Sequence, residues 1–316
     1  MDEVFDVPAA LEGERLDRAL ALLTGLTRKE VDDIVAAGRV QLGSAPASSR
    51  SRRIHAGEHI RVTGGTERQT PAAPGGEEGV PFEVVWSDSE LVVVDKPAGV
   101  VVHPGSGNRS ATLVNGLLDR FPDMAGAFSE PEAAQRPGVV HRLDKGTSGL
   151  LVFARTPAAL ESLQHQMASR SARREYLALV AGDLESDRGL IDAPIGRSAR
   201  DPVRMQVQAG GRRARTSYEV VERFGNPASC CLVRCRLETG RTHQIRVHFA
   251  SIGHPVVGDD RYGTRRLGSR EPLKLGRQFL HATMLSFDHP STGERLSFES
   301  PLPADLAAVL DELRGC

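Results

Sequence analysis

Aromatic rings are scarce in this sequence: Phe, Trp and Tyr make up 4% of its 316 residues, with one Trp and three Tyr. Stacking on a planar ligand must therefore rest on one or two identifiable rings. Cysteine is scarce too. Cys230, Cys231, Cys235 and Cys316 form no C-x-x-C pair, so the spacing offers no zinc site and the pattern no disulfide framework. The first three lie in an apolar segment and are expected to pack in a strand, and a reducing cytoplasm fits. No apolar run approaches the roughly 18 residues of a membrane span. The first twenty residues lack the basic start and apolar stretch of a signal peptide. Neither sign of charge dominates, the net being −1, so bulk charge does not announce a polyanionic partner.

Forty per cent of the chain is apolar, which permits a sizeable core, and the length suits two domains. Charge is uneven locally. From Arg136 to Tyr176 seven Lys or Arg face three acids, and from Arg197 to Arg215 six Arg face Asp201 alone. Such clusters suit either a phosphate backbone or a solvated face.

Met1 to Val7 reads as a short strand or arm. Leu16, Ala19, Leu20 and Leu23 then share one helical face, and Val31, Ile34 and Val35 mark a second helix. Thr27 with Glu30 has capping-box spacing. Strand-like pieces follow at Arg39–Leu42 and His59–Val62. Residues 64–79, rich in Gly, Pro, Thr and Glu, read as a flexible linker. Beyond Val80 many short strand-like runs appear, at Phe82–Trp86, Leu91–Asp95, Val100–His103, Glu175–Val180, Thr216–Glu222 and Cys230–Leu237. Helical patterns occupy Thr112–Phe121, Pro157–Ser169, Gln244–Ile252 and Asp305–Leu313. Ala125–Gln135 reads as a surface loop and Val203–Ala214 as a basic hairpin or loop. Strands and helices do not alternate regularly, which argues against a doubly wound parallel sheet.

One stretch organises the chain: His141-Arg142-Leu143-Asp144-Lys145-Gly146-Thr147-Ser148-Gly149-Leu150. An Asp in a polar turn sits between two apolar runs, and the glycines fit unusual backbone angles. Arg142 and Lys145 flank the carboxylate and favour its charged form. An ionised carboxylate on a rigid loop can serve as nucleophile, base or metal ligand. It can equally be a loop Asp paired with its neighbours.

H-R-L-D-K-G-T-S-G-L closely resembles the Asp-bearing motif of the RluA-like pseudouridine synthases, and two further stretches resemble signatures of the same family. These are D-K-P-A-G-V-V-V-H-P at Asp95–Pro104 and T-G-R-T-H-Q-I-R-V-H at Thr239–His248. Gly253–Gly263 and Leu280–Ala282 continue the resemblance, which spans Val80 to the C-terminus. The N-terminal segment resembles the alpha-L RNA-binding motif first seen in a small-subunit ribosomal protein. Its matching features are R-L-D at Arg15–Asp17, T-R-K-E at Thr27–Glu30, and G-R-V at Gly38–Val40. Two departures stand out. Leu42-Gly43-Ser44 replaces the usual Asn-Gly, and Gly146 stands where the synthases commonly carry an acid.

The resemblance implies an α+β catalytic domain at residues 80–316, a mixed, mainly antiparallel β-sheet with flanking helices. It implies a small N-terminal α/β RNA-binding domain at residues 1–63. The implied reaction turns uridine into pseudouridine in RNA without cofactor. Asp144 would be the essential carboxylate, Arg246 its ion-pair partner, holding its pKa low, and Tyr176 the ring that meets the base. Arg142, Lys145, Ile245, Arg241 and Arg174 become substrate-binding candidates. Lys96 is one as well, or else a turn residue that supports the loop. Arg15, Arg28, Lys29 and Arg39 become RNA-binding candidates in the N-terminal domain. His243 and His248, five apart, do not share a helical face, and no metal is expected. The motif set looks most like synthases acting on large-subunit ribosomal RNA. Transfer RNA, or a non-catalytic role in ribosome assembly, is the alternative. A cytoplasmic monomer bound to RNA and to no membrane is expected.

Overall fold

The computed structural model describes residues 2–315 except positions 27, 48, 65–72, 106–107, 129, 199–200, 202, 226–228, 264–272 and 274, with backbone alone at 28, 29, 131 and 132. The chain divides into two compact units, Met1–Pro71 and Ala72–Cys316.

The first unit runs β1 (Glu3–Asp6), α1 (Leu16–Thr24), α2 (Arg28–Ala36), β2 (Val40–Leu42), β3 (Ala45–Pro46) and β4 (His59–Val62). Its antiparallel sheet has the order β1-β4-β2-β3. The helical faces read from the sequence close on this sheet: Leu16, Ala19, Leu20, Val31 and Ile34 pack with Val40, Ile54, Ile60 and Val62. The turn after β2 places Gly43 at φ +61, which glycine adopts without a Cβ penalty, so Leu42-Gly43-Ser44 still makes a tight hairpin into β3. Thr27 lies outside the described residues, and with it the expected cap.

The second unit comprises β5 (Glu83–Ser87), β6 (Leu91–Lys96), α3 (Leu113–Arg120), α4 (Asp123–Ala127), α5 (Pro131–Ala134), β7 (Ser148–Ala154), α6 (Pro157–Ser169), β8 (Arg173–Ala181), β9 (Arg188–Asp192), β10 (Ile195–Arg197), β11 (Met205–Val207), β12 (Arg215–Phe224), β13 (Cys230–Leu237), α7 (Gln244–Ser251), β14 (Leu280–Asp288), β15 (Arg295–Glu299) and α8 (Ala304–Arg314). Its large sheet has the order β5-β6-β7-β14-β8-β13-β12-β9, with β15 also on β14. The pairing is antiparallel except between β7 and β14. This is the expected mixed α+β sheet.

Alternation explains why residues 91–94 of β6 and 150–154 of β7 are apolar without a break. Successive strand residues face opposite sides of a sheet. Leu91, Val93, Leu150 and Val152 pack with Ala159 and Leu163 of α6 on one side. Val92, Val94, Leu151 and Phe153 pack with α3 and α8 on the other. Positions covered on both faces are apolar, and the polar residues Asp95, Lys96 and Ser148 stand at the strand ends.

Gly149 permits the one parallel pairing. It sits at φ +111 opposite Ala282, and a Cβ there would run into the Ala282 backbone. That contact brings the start of β7, and the Asp144 loop before it, to the centre of the sheet.

Several elements differ from the sequence reading. Val100–His103 is no strand: only Val101 makes a bridge, parallel to Thr112, because Pro97–Gly99 turns the chain out of the sheet. Gly138–Val140 likewise contributes a single bridge at Val139. Ala125–Gln135 carries the short helices α4 and α5 rather than a bare loop, with Met124 and Phe128 as apolar anchors. The basic hairpin is β10–β11, beginning at Ile195. Residues 65–72 of the expected linker lie outside the described residues, while Gly75–Glu77 are bound to α3. There the Asn115 side chain donates to the Gly75 carbonyl at 2.8 Å and the Glu77 amide donates to the Asn115 carbonyl at 3.0 Å.

Candidate active site

Three pieces of chain, from β7, β8 and β13, meet here, with β14 between β7 and β8 in the sheet. The Asp144 loop enters β7. Alternation along β8 buries Arg174 and Tyr176 on the same face. The segment 238–243 leaves β13 and turns into α7. Together they line a cavity of about 960 Å³ that holds Asp144, Tyr176, Arg174, Arg142, Arg241 and Ile245. Arg136, Arg170 and Arg213 also line it, against Asp144 and Glu238 as the acids. Glu238 already pairs with Arg170 and Arg215. The wall is therefore strongly cationic in a protein with no net basic excess.

The Asp144 carboxylate is held at one oxygen. Arg246 Nη1 donates to Oδ2 at 2.9 Å, so the expected pair forms. Arg246 lies beneath the cavity, its side chain 6% exposed. Its Nε and Nη2 donate to Asp259 bidentately at 2.6 and 2.8 Å. Burial alone would lower the guanidinium pKa. The hydrogen bond to Asp259 and the charges of Asp144 and Asp259 outweigh it, so Arg246 stays fully charged. For Asp259, burial acts upward, but the Arg246 bond and two backbone amides hold the carboxyl below its usual range. Asp259 is buried, and the sequence reading missed it. The Gly258-Asp259-Asp260-Arg261-Tyr262-Gly263 run was the available signal, but nothing in its pattern said which Asp pointed inward.

The loop backbone is clamped from behind. The Thr147 amide closes a turn on the Asp144 carbonyl at 3.0 Å. The Lys145 carbonyl accepts from the Gly99 amide at 2.7 Å and from Lys96 Nζ at 3.4 Å. The Gly146 carbonyl accepts from Arg277 at 3.0 Å, and Gln278 donates to Thr147 Oγ1 at 3.1 Å. Of the two roles open to Lys96, the supporting one matches its fully buried side chain, whose ammonium also donates to the Pro97 and Val100 carbonyls. Burial pushes its pKa down to about 7, with Asp144 acting in the opposite direction. Lys145, the other flanking base, is exposed and does not line the cavity. The partner that meets the Asp144 carboxylate is distant Arg246, not its neighbours in sequence.

Gly146 has a structural counterpart. A Cβ there would come within 2.5 Å of the Gln278 side-chain oxygen. Gln278 fills the room that a larger residue would need, so the departure at 146 does not leave the loop slack.

Thr239-Gly240 does not cap α7, whose N-cap is His243. Gln244, the first helical residue, ties the segment instead: its side-chain oxygen accepts from Thr239 Oγ1 at 2.7 Å and from the Arg241 amide at 3.0 Å, while its nitrogen donates to the Arg215 carbonyl at 2.9 Å. Gly240 matters for a different reason, since a Cβ there would press within 3.0 Å of Arg174 Nη1. Arg174 is 8% exposed and its Nε has no partner among the described residues. Tyr176 is 4% exposed, and burial first, then Asp144, keeps its phenol protonated against the opposing pull of Arg174.

His243 and His248 have separate partners, Tyr262 for the first and Thr216 with the Ala193 carbonyl for the second. In the first unit, Arg15 pairs with Asp17 at 2.9 Å and Arg39 donates to the Thr63 carbonyl at 2.9 Å. The side chains of Arg28 and Lys29 lie outside the described residues. No helix among the described residues is long and apolar enough to cross a membrane.

A carboxylate pinned by a buried Arg, beside an arginine-lined cavity on a mixed sheet, suits an enzyme with an anionic substrate. Comparison with known proteins gives the class its name. Residues 90–251 match the family described as RNA pseudouridylate synthase. The ribosomal large subunit pseudouridine synthase D of Nitrosomonas europaea is 44% identical over 316 residues, covering 98% of this chain and 87% of that one. The uncharacterized RNA pseudouridine synthase YlyB of Bacillus subtilis is 40% identical, covering 98% of each. Among solved structures, human RNA pseudouridylate synthase domain containing 1 superposes with a TM-score of 0.57 at 28% identity, covering 76% of this chain and 96% of that one. The chain belongs to the RNA pseudouridylate synthase family and is an RNA-modifying isomerase.

Proposed function

We propose that this enzyme converts specific uridines of large-subunit ribosomal RNA to pseudouridine, with Asp144 as its essential carboxylate. The observation that carries the proposal is the one-sided hold on Asp144. Arg246 occupies Oδ2, which leaves Oδ1 directed at a cavity wide enough for a nucleotide turned out of its helix. The bond from C1′ of the ribose to N1 of uracil breaks, the base turns, and a bond from C1′ to C5 replaces it. The C5 proton is released and N1 gains one. Reactant and product are isomers, so no electron or group donor enters the balance. Oδ1 either attacks C1′ or removes the neighbouring ribose proton. Tyr176 meets the base as a neutral phenol, and Ile245 packs beside it. Arg142, Arg174 and Arg241 meet phosphates.

The ribosomal substrate is supported by relatives such as that of Nitrosomonas europaea, whose name places its action on the large ribosomal subunit. We assign residues 1–63 as an alpha-L-type RNA-binding domain, 64–79 as linker and 80–316 as the catalytic domain. Arg15, Arg28, Lys29 and Arg39 are the RNA contacts of the first. The division into two units near Pro71 supports that assignment. The working form is a monomer in the cytoplasm, where ribosomal RNA is modified.

The test is tritium release from protein-free large-subunit RNA labelled at uracil C5. Wild type releases tritium in the presence of EDTA, and Asp144→Asn releases none while still binding the RNA. Release from labelled transfer RNA only would move the substrate. Equal release by Asp144→Asn would remove the catalytic assignment.

A further inference from the structure

His243 lies in the cavity wall with no role in the reaction as described above. It is one of three non-glycine residues with positive φ among those described, at +57, where it immediately precedes α7. A non-glycine residue in this left-handed region is uncommon, although His enters it more readily than most. The effect is to aim the imidazole into the cavity, where it is 14% exposed with Nε2 3.8 Å from Asp144 Oδ1. That is the oxygen Arg246 leaves free.

The hydrogen bonds around Nδ1 suit one tautomer of the ring. Tyr262 Oη accepts from the Met205 amide at 3.0 Å and lies 2.8 Å from His243 Nδ1. Burial, the largest influence on Tyr262, keeps its phenol protonated. With the Met205 amide on one lone pair, the hydroxyl proton can be given to Nδ1. In the tautomer assigned by this proposal, Nδ1 accepts from Tyr262 and Nε2 bears the hydrogen. Of the groups that face the ring, Asp144 and Asp259 favour its cation, and Arg246 and Arg261 oppose it. Burial outweighs them all and lowers its pKa, so the ring is neutral in this tautomer. A 3.8 Å gap between Nε2–H and Oδ1 is too long for a hydrogen bond. It leaves a donor without an acceptor beside the reacting oxygen.

We propose that His243 is a further catalytic residue, whose Nε2–H donates to the uracil O2 carbonyl, the oxygen adjacent to the breaking bond; the proposal rests on the synthase reading with Asp144 at C1′ or its neighbour. When C1′–N1 breaks, the electron pair stays with uracil and spreads onto O2. A preset neutral donor stabilises that charge without transferring its proton. Tyr262 acts as a positioning residue through the tautomer it enforces.

The experiment compares wild type, His243→Leu, His243→Gln and Tyr262→Phe on a ribosomal stem-loop that wild type modifies, carrying either uridine or 2-thiouridine at the target. Sulfur is a weak acceptor, so the ratio of rates on the two RNAs reports the O2 contact. Expected is a loss in kcat of about a hundredfold for His243→Leu with KM changed by less than about twofold. His243→Gln, which keeps an N–H donor, recovers part of that loss, and Tyr262→Phe loses less than His243→Leu. The 2-thiouridine penalty seen in wild type disappears in His243→Leu. An undiminished penalty in that variant, or a kcat close to wild type, overturns the proposal. Nitrogen NMR of ring-labelled wild type gives a readout independent of turnover and of variant folding: a protonated Nδ1 overturns it whether or not the RNA is a substrate. Asp144-dependent tritium release by wild type is scored separately, so failure of the synthase reading is visible as such.

Discussion

At the scale of single residues, the site depends on side chains whose neighbours leave them one state. Arg246 is shared between Asp144 and Asp259, and because Asp259 takes Nε and Nη2, the planar group presents Nη1 in a fixed direction. Two cavity-wall histidines carry a cost in acid. His103 is pushed down to about 4 by burial, then by Arg136 and Arg142, and His141 to about 3 by burial, then by Arg174. Both values lie below the ordinary 6.5. Between pH 6.5 and 4 the unfolded chain binds protons that the folded chain refuses, so stability falls as pH falls through that window. Carboxylates titrate lower and dominate only later. Thermal midpoints of wild type, His103→Gln and His141→Gln across this range check it. The wild-type curve should be the steepest, and identical slopes would assign the acid sensitivity elsewhere.

At the scale of elements, the Asp144 loop is a short turn made rigid by what lies behind it. Lys96, Arg277 and Gln278 each bind one successive piece of residues 145–147. Asp305 of α8 holds Arg277 bidentately at 2.6 and 2.9 Å, so the C-terminal helix bears on the loop through one side chain. Gly146 and Gln278 form a complementary pair. Gly146→Glu should destabilise the fold by about 1–3 kcal/mol through overpacking. Gln278→Ala in the same chain should relieve most of that. Denaturant midpoints of the two single variants and the double variant measure the coupling, and simple additivity would show that the two positions do not compete for space.

At the scale of the whole molecule, nearly balanced charge conceals a cavity lined by six arginines, among them Arg142 and Arg213. RNA affinity should therefore fall steeply with salt. Each phosphate contact removed should reduce the slope of log affinity against log salt by about 0.7–0.9. Arg142→Ala combined with Arg213→Ala should flatten it by roughly twice that amount. Filter binding at several salt concentrations tests this, and an unchanged slope would place the RNA path away from this wall.

The sequence by itself determined most of the elements and the candidates for the site. Periodicity located α6 and β13 at their observed bounds, because helix and strand faces must each be apolar toward a core. Asp144, Tyr176 and Arg246 were legible through the resemblance of contiguous motifs to one family. Tertiary structure decided whatever depends on distant parts of the chain meeting. It put Lys96 behind the loop instead of in the cavity, and it paired Asp144 with a guanidinium 102 residues away rather than with Lys145. It turned Asp259 inward beneath Arg246 and set Tyr262 against His243. The reason is that a linear pattern records which face of an element is buried, whereas the partner of a buried polar group is set by the element packed opposite it.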